Sequence, residues 1–300
     1  MSRVISFDEG DRALDWLALT DALAAGHKLP RAEIEDVFLY RDPDTLLNRS
    51  AWIEGLGLLV KCATIFPGNP AKGTPMINGA VNLFSDGDGT LLAVVDFHLV
   101  TKWKTAGDSL LAARRLAPPK VADILIVGAG TVGHSLRAAY GAAFPDARFT
   151  VWNRTSDKAE AFAAEHDDTH AVTDLADAVH AADIVTSATM SSEPIIKGEW
   201  LRPGQHLDLI GAYRPDMREA DDAALTRARI FVDSRETVVS HIGELKDPIA
   251  RGVIADGDVV ADYYELDNFR RDPDDITLFK NGGGAHLDLM TARHILDSVG

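Results

Sequence analysis

Apolar runs and helically spaced segments alternate regularly through the middle of the chain. The stretch "ADILIVGAG" (122–130) is apolar and ends in glycines, and "TVGHSLRAAYGAAF" after it carries its apolar residues at helical spacing. "ARFTVWNR" predicts the next strand, and "TSDKAEAFAAEH" opens on a capping Thr or Ser and continues as a helix. "THAVTD" is a short, weak strand and "LADAVHAA" a helix. "DIVTSAT", "HLDLIGA" and "RIFVDS" are three further strand-like runs, bounded by Gly, Pro or charged turns. Strands alternating with helices imply a parallel, doubly wound sheet.

The chain before this region is patterned differently. "GLGLLVKCATIF", "GAVNLFS" and "TLLAVVDF" predict strands joined by the turn-rich "PGNPAKGTP" and "SDGDG". Such connections are too short for helical crossovers, so an antiparallel or mixed sheet is expected. "TAGDSLLAARRL" predicts a helix leading into the central domain, and "HLDLMTARHILDSVG" an amphipathic helix that returns to the N-terminal part. The expected fold is therefore α/β. Residues 118–280 form a Rossmann domain entered at Pro118-Pro119, and residues 1–117 form a discontinuous α+β domain completed by 281–300.

Composition adds only exclusions. Apolar content of 46% and charge of 25% suit a soluble globular chain, and 300 residues suit two domains. A formal charge of −16, with acids scattered as in "AEHDDTH", argues against nucleic acid as a partner. No apolar run is long enough to span a bilayer, and the acidic start is unlike a signal peptide, so the protein is expected in the cytoplasm. The single cysteine, Cys62, excludes an internal disulfide and reads as a small core residue. The histidines, His286 and His294 among them, show no ligand-like spacing, and no metal is expected.

Gly128, Gly130 and Gly133 form G-x-G-x-x-G in the context that gives the pattern meaning, after a strand and at the opening of a helix. Gly128 permits a tight turn, Gly130 lets the backbone approach a pyrophosphate, and Gly133 allows close helix–strand packing. With Thr131 and Val132, they place free N–H groups and a partial positive charge at the phosphates. The next strand ends in Asn153-Arg154-Thr155, where a carboxylate would otherwise hold a ribose hydroxyl. Arg154 can pair with a 2′-phosphate while Asn153 and Thr155 donate hydrogen bonds. NADP(H) is therefore expected in preference to NAD(H). The alternative is a solvated Arg154 beside a Thr155 that merely caps the following helix.

The substrate side is expected from Lys61, Asn78, Lys102, Lys104 and Thr105. A lysine in an apolar strand, as at Lys61, is costly to bury without a partner. Here the chain resembles the ornithine cyclodeaminase/mu-crystallin family along nearly its whole length. The resemblance is carried by "KCATIFPGN", "GTLLAVVDFHLVT", "KTAGDSLLAARRLA", "ILIVGAGTVG", "VWNRT", "SSEPIIKGEWLRPGQHLDLIGAYRPDMREADD" and "TLFKNGGGAHLD".

The resemblance implies a Rossmann domain beside a substrate-binding domain that also forms a homodimer, with hydride exchange at the α-carbon of an amino or imino acid. By position, Lys61 matches the family lysine beside the substrate carboxylate and reacting nitrogen, and Asn78 a position facing the substrate. Lys104-Thr105 stands where the family has Arg-Thr; a lysine supplies charge without the planar fork. Lys104 could instead pair with Asp108, four residues on. A second cation is then needed for the carboxylate: Arg49 first, with Arg31 and Arg41 behind it. Tyr213 replaces the aspartate that binds the side-chain amine of ornithine in the cyclodeaminases, and Asp216 reads as a substitute anchor or as a surface turn acid. Tyr213 and the residues around it look like the ketimine-reductase branch. Reduction of a ketimine or cyclic imino acid, such as pyrroline-2-carboxylate or piperideine-2-carboxylate, is expected, with Lys61 or a water held by Tyr213 as proton donor. The competing readings are an ornithine cyclodeaminase, an alanine-dehydrogenase-like activity and a non-catalytic NADP(H)-binding protein.

Overall fold

The computed structural model describes residues 2–300. In chain order the first elements are β1 (Arg3–Ile5), α1 (Phe7–Ala13), α2 (Trp16–Gly26), β2 (Glu33–Arg41), β3 (Asp44–Ile53), β4 (Gly57–Ile65), β5 (Ile77–Phe84), β6 (Leu91–Asp96) and α3 (Phe97–Leu116). The central region supplies β7 (Asp123–Val127), α4 (Thr131–Ala143), β8 (Arg148–Trp152), α5 (Ser156–Ala163), β9 (Thr169–Ala171), α6 (Leu175–Ala181) and β10 (Ile184–Ser187). It continues through β11 (His206–Leu209), α7 (Asp222–Arg227), β12 (Arg229–Val232), α8 (Arg235–Val238), α9 (Gly243–Ala250), β13 (Val259–Ala261) and β14 (Thr277–Lys280). Helix α10 (Ala285–Val299) ends the chain.

The chain divides into two compact units, one of Met1–Lys104 with Gly283–Gly300 and one of Thr105–Gly282. The dividing point lies inside α3, earlier than the Pro118-Pro119 break expected from the sequence. The physical reason is that carbonyls in the later turns of α3 are taken by the second unit. Asn281 donates to Thr105 O at 3.1 Å, and Arg271 and Thr277 donate to Leu116 O at 3.0 and 3.1 Å.

The first unit is built on a mixed six-stranded sheet in the order β1-β6-β5-β4-β3-β2, with β1 parallel to β6 and the other pairs antiparallel. Its inner face alternates as a one-sided sheet should: Leu59, Ala63, Val81, Leu83, Ala93 and Val95 are buried. Helix α10 covers that face along β2 to β5 and α2 packs on α10, burying Leu19, Leu23, Leu289, Ala292 and Ile295. Asp15 starts α2 by accepting from Ala18 N at 2.8 Å. Cys62 lies on the other face and is only half-buried, a correction to the core position expected of it; its neighbours Lys61 and Ala63 take the inward positions. The β2–β3 hairpin was not foreseen. Its outer strand leaves Val37, Phe38, Leu39 and Tyr40 exposed, so it lacks the alternation that marks a strand in sequence.

The second unit holds an eight-stranded, all-parallel sheet in the order β13-β12-β14-β11-β10-β7-β8-β9. Residues Ile124–Val127 are inaccessible to solvent, as expected of a strand covered on both faces. From β7 the chain winds outward through β8 and β9, then returns to β10 and winds the other way. That reversal places a topological switch point between β7 and β10, where such sheets open a crevice at their carboxyl ends. No helix among the described residues is long and apolar enough to cross a membrane.

Candidate active site

In the first unit, strand pleating points Lys61 into the apolar side of β4, beside Leu59 and Ala63, and it is 5% exposed. Across the sheet its register partner is Arg49 on β3. The Lys61 ammonium donates to Asp288 Oδ1 at 2.8 Å and to Thr101 Oγ1 at 3.0 Å, and lies 4.7 Å from the centre of the Phe97 ring. Phe97, Thr101 and Lys104 share one face of α3 by their spacing. Lys104, itself buried, reaches Gly283 O at 3.4 Å. Arg49 donates to the same carbonyl at 2.8 Å, pairs with Asp36 at 2.6 Å, and stands 3.6 Å from Asp288 Oδ2.

Three cations thus gather around one fully buried carboxylate. Burial alone would raise the Asp288 carboxyl, but Lys61, Lys104 and Arg49 together hold it below its ordinary range. Lys61 moves the other way. Burial lowers it to about 8, with the charges of Lys104 and Arg49 adding to that fall and Asp288 opposing it. An amine poised near neutrality beside spare positive charge can hold a carboxylate and give up a proton.

Other residues expected on this side fall elsewhere. Asn78 pairs in register with Thr64, an odd number of residues from Lys61, so it sits on the opposite sheet face, where it donates to Pro75 O at 3.0 Å. That corrects its expected substrate-facing role. Arg41 pairs with Asp44 at the exposed hairpin end, Arg31 is exposed, and Lys102 pairs with Asp11 at 2.6 Å. Thr105 is half-buried in the second unit.

Sequence reasoning missed Asp288 and Thr101. The signal for Asp288 was available. Ala285, Asp288, Ala292 and Ile295 form one buried stripe of α10, and an acid in an apolar stripe asks for a partner.

In the second unit the glycine turn has the expected geometry. Gly128 adopts φ +112°, a conformation that side chains resist, and a Cβ on Gly133 would lie 2.2 Å from Gly128 O. A Cβ on Gly130 would meet nothing within 4 Å, so this side of the turn faces open space. Gly130 caps α4 without a side chain, leaving the N–H groups of the first turn, at Thr131, Val132 and Gly133, for an anion.

At the end of β8, Asn153 accepts from Ala129 N at 3.2 Å and donates to Thr155 O at 3.0 Å. It therefore shapes the turn through its oxygen and one of its two amide hydrogens. Arg154 is exposed, with no ion pair among the described residues, and Thr155 stands at the N-cap of α5 with no side-chain capping bond. Tyr213 lies in the loop after β11, 57% exposed, with the Arg214 guanidinium 5.7 Å from its ring centre. Asp216 is also exposed and is occupied by Arg214 at 2.9 Å.

A switch-point crevice, an open glycine turn and a buried lysine among cations define the class: a nicotinamide-dependent oxidoreductase acting on a small acid. The family model of the ornithine cyclodeaminase/mu-crystallin family matches residues 53–300, and the chain belongs to that family. It is 51% identical to the Delta(1)-pyrroline-2-carboxylate reductase of Paracoccus denitrificans, over 97% of this chain and 95% of that protein. It is 33% identical to the ketimine reductase mu-crystallin of Rattus norvegicus, over 80% of this chain and 76% of that protein. Among solved structures, an archaeal alanine dehydrogenase dimer with bound NAD superposes with a TM-score of 0.90 at 25% identity, covering 99% of this chain and 95% of that one.

Proposed function

We propose that this chain is an NAD(P)H-dependent reductase that converts a cyclic imino acid, Δ1-pyrroline-2-carboxylate foremost, into the amino acid. The observation that carries the reading is the Arg49–Lys61–Lys104 cluster, whose three cations face two carboxylates, Asp36 and Asp288, and so keep net positive charge for a substrate carboxylate. Identity of 51% to a pyrroline-2-carboxylate reductase supports the ring size.

Lys104 and Arg49 hold the carboxylate, and Lys61 lies beside the imine nitrogen. A protonated imine accepts hydride better than a neutral one, so Lys61 keeps that nitrogen protonated and ends the turnover one proton poorer. When bound, the reduced nicotinamide supplies the hydride. Positioning supplies much of the remaining rate. Tyr213 stands where the cyclodeaminases carry an aspartate, and a phenol leaves a second ammonium group without an anchor, which favours an imino acid over ornithine.

The nucleotide site is the turn Gly128, Gly130, Thr131, Val132 and Gly133, with Arg154 and Thr155 at the adenosine ribose. The free Arg154 guanidinium favours NADP(H), while NAD(H), which the alanine dehydrogenase relative holds, fits the same turn. The assembly is read as a cytoplasmic homodimer, on the exposed apolar residues of β2 and the dimeric relative.

A substrate panel tests the reading: pyrroline-2-carboxylate, piperideine-2-carboxylate, ornithine and alanine, each with NADPH and with NADH. Net consumption of reduced cofactor with the cyclic imines supports it. Ammonia released from ornithine with no net change in cofactor overturns it.

A further inference from the structure

Behind the crevice of the second unit lies a buried group that the mechanism above does not use. Glu219 is inaccessible to solvent, yet its carboxylate accepts five hydrogen bonds from two neighbouring strand ends. Its Oε1 takes Ser187 Oγ at 2.6 Å, Thr189 N at 2.8 Å and Thr189 Oγ1 at 2.8 Å, all at the carboxyl end of β10. Its Oε2 takes Gly211 N at 2.5 Å and Ala212 N at 3.2 Å, just beyond β11.

The backbone of Glu219 is fixed in turn by a second buried glutamate. Glu244 accepts from Glu219 N at 2.8 Å and from Ala220 N at 3.0 Å. The buried Lys280 ammonium lies near both carboxylates and donates to Leu209 O at 2.9 Å and Asn281 O at 2.6 Å. Burial, then the charge of Glu219, pushes Glu244 up to about 7, so close to neutral pH the two acids need not both be ionised.

These loops sit against the glycine turn. A Cβ on Gly128 would lie 2.9 Å from Ala188 O and 3.4 Å from Thr189 Cγ2, and one on Gly211 would lie 1.8 Å from Thr189 O. Thr189 is thus wedged between the turn after β7 and the loop after β11. In a doubly wound sheet the dinucleotide straddles the switch point. Its adenosine half belongs to the β7–β8 side, where Arg154 stands, so its nicotinamide half belongs to the β10–β11 side.

We infer that Glu219 is a positioning residue for the nicotinamide half of the cofactor. It clamps the ends of β10 and β11 so that Thr189 and the loop leading to Tyr213 form a fixed wall. Three of the donors are backbone N–H groups, on both oxygens of the carboxylate, so whichever way an amide is turned its NH2 faces at least one of them. The inference rests on the nucleotide reading proposed above.

Two ligands separate the halves: the reduced cofactor and its ADP-ribose fragment, both in the 2′-phosphorylated or plain form that the wild-type protein prefers. Calorimetry on Glu219→Gln is expected to show fragment affinity within about twofold of wild type, while reduced cofactor weakens about tenfold or more and kcat falls with it. Thr189→Val removes one of the five bonds in a side chain of the same shape, and is expected to give the same selective loss at a few-fold. It carries the test if Glu219→Gln does not fold. Equal weakening of fragment and whole cofactor in the variant tested, or no change in either, overturns the inference. A wild-type protein that binds neither ligand overturns the nucleotide reading itself.

Discussion

Lys61 and Asp288, 227 residues apart in the chain, meet at 2.8 Å in the buried interior of the first unit. An amine and a carboxylate taken out of water cost several kcal/mol each unless they meet. Here Asp288 also faces Lys104 and Arg49, so removing it strands the Lys61 ammonium and leaves Arg49 with Asp36 as its carboxylate partner.

Asp288→Asn is therefore expected to destabilise the protein by about 3–5 kcal/mol, the cost of breaking a buried pair from one side. Urea denaturation with an unchanged slope checks it. A loss below about 1 kcal/mol, the range of an exposed ion pair, would show that the cluster is solvated.

The proton donor sets a pH limit. Lys61 sits at about 8, and reduction needs it protonated. kcat/KM for imine reduction is thus expected to stay level below about 8 and to fall as pH rises through that value. Lys61→Met should lower kcat about 10²–10⁴-fold and remove that limb of the profile. Loss of rate with the limb intact would assign the proton to another group.

Arg154→Ser tests cofactor choice. A charge-assisted contact is worth about 1.5–3 kcal/mol, so NADPH affinity should fall about 10–100-fold while NADH stays within about twofold. Equal loss of both would make Arg154 a general surface cation.

Gly133→Ala sets two effects against each other. Alanine gains about 1 kcal/mol in helix propensity. Its methyl, however, would sit 2.2 Å from Gly128 O, and backbone gives way poorly, at about 1–3 kcal/mol. The clash should win, with net destabilisation and loss of cofactor binding; a stabilised variant that still binds would show that the turn is loose.

What could be read from the sequence follows from how local each signal is. Strands β7, β8, β10, β11 and β12 and helices α4, α5 and α6 carry apolar runs or helical spacing, β9 only weakly, and the glycines sit in the strand-to-helix context that gives them meaning. Lys61 was legible because a cation in an apolar strand is an anomaly in its own neighbourhood. Glu219 was not singled out, because distant donors define it, and the stripe that marks Asp288 as needing a partner does not say which partner it meets. Lys61 becomes that partner only when α10 is laid against β4, and the five donors of Glu219 come from the end of β10 and the loops after β10 and β11. Asn78 misled through pleating, since only the register shows which face a residue takes. The β2–β3 hairpin escaped because its exposed apolar residues read as irregular.

The most direct test follows the hydride itself. Reduced cofactor deuterated at the transferring position of the nicotinamide is mixed with Δ1-pyrroline-2-carboxylate and enzyme, and the product is analysed by mass spectrometry and NMR. The account predicts proline carrying one deuterium at its α-carbon, with oxidised cofactor formed in equal amount. Unlabelled proline, or no proline at all from an enzyme that binds the cofactor, would contradict it.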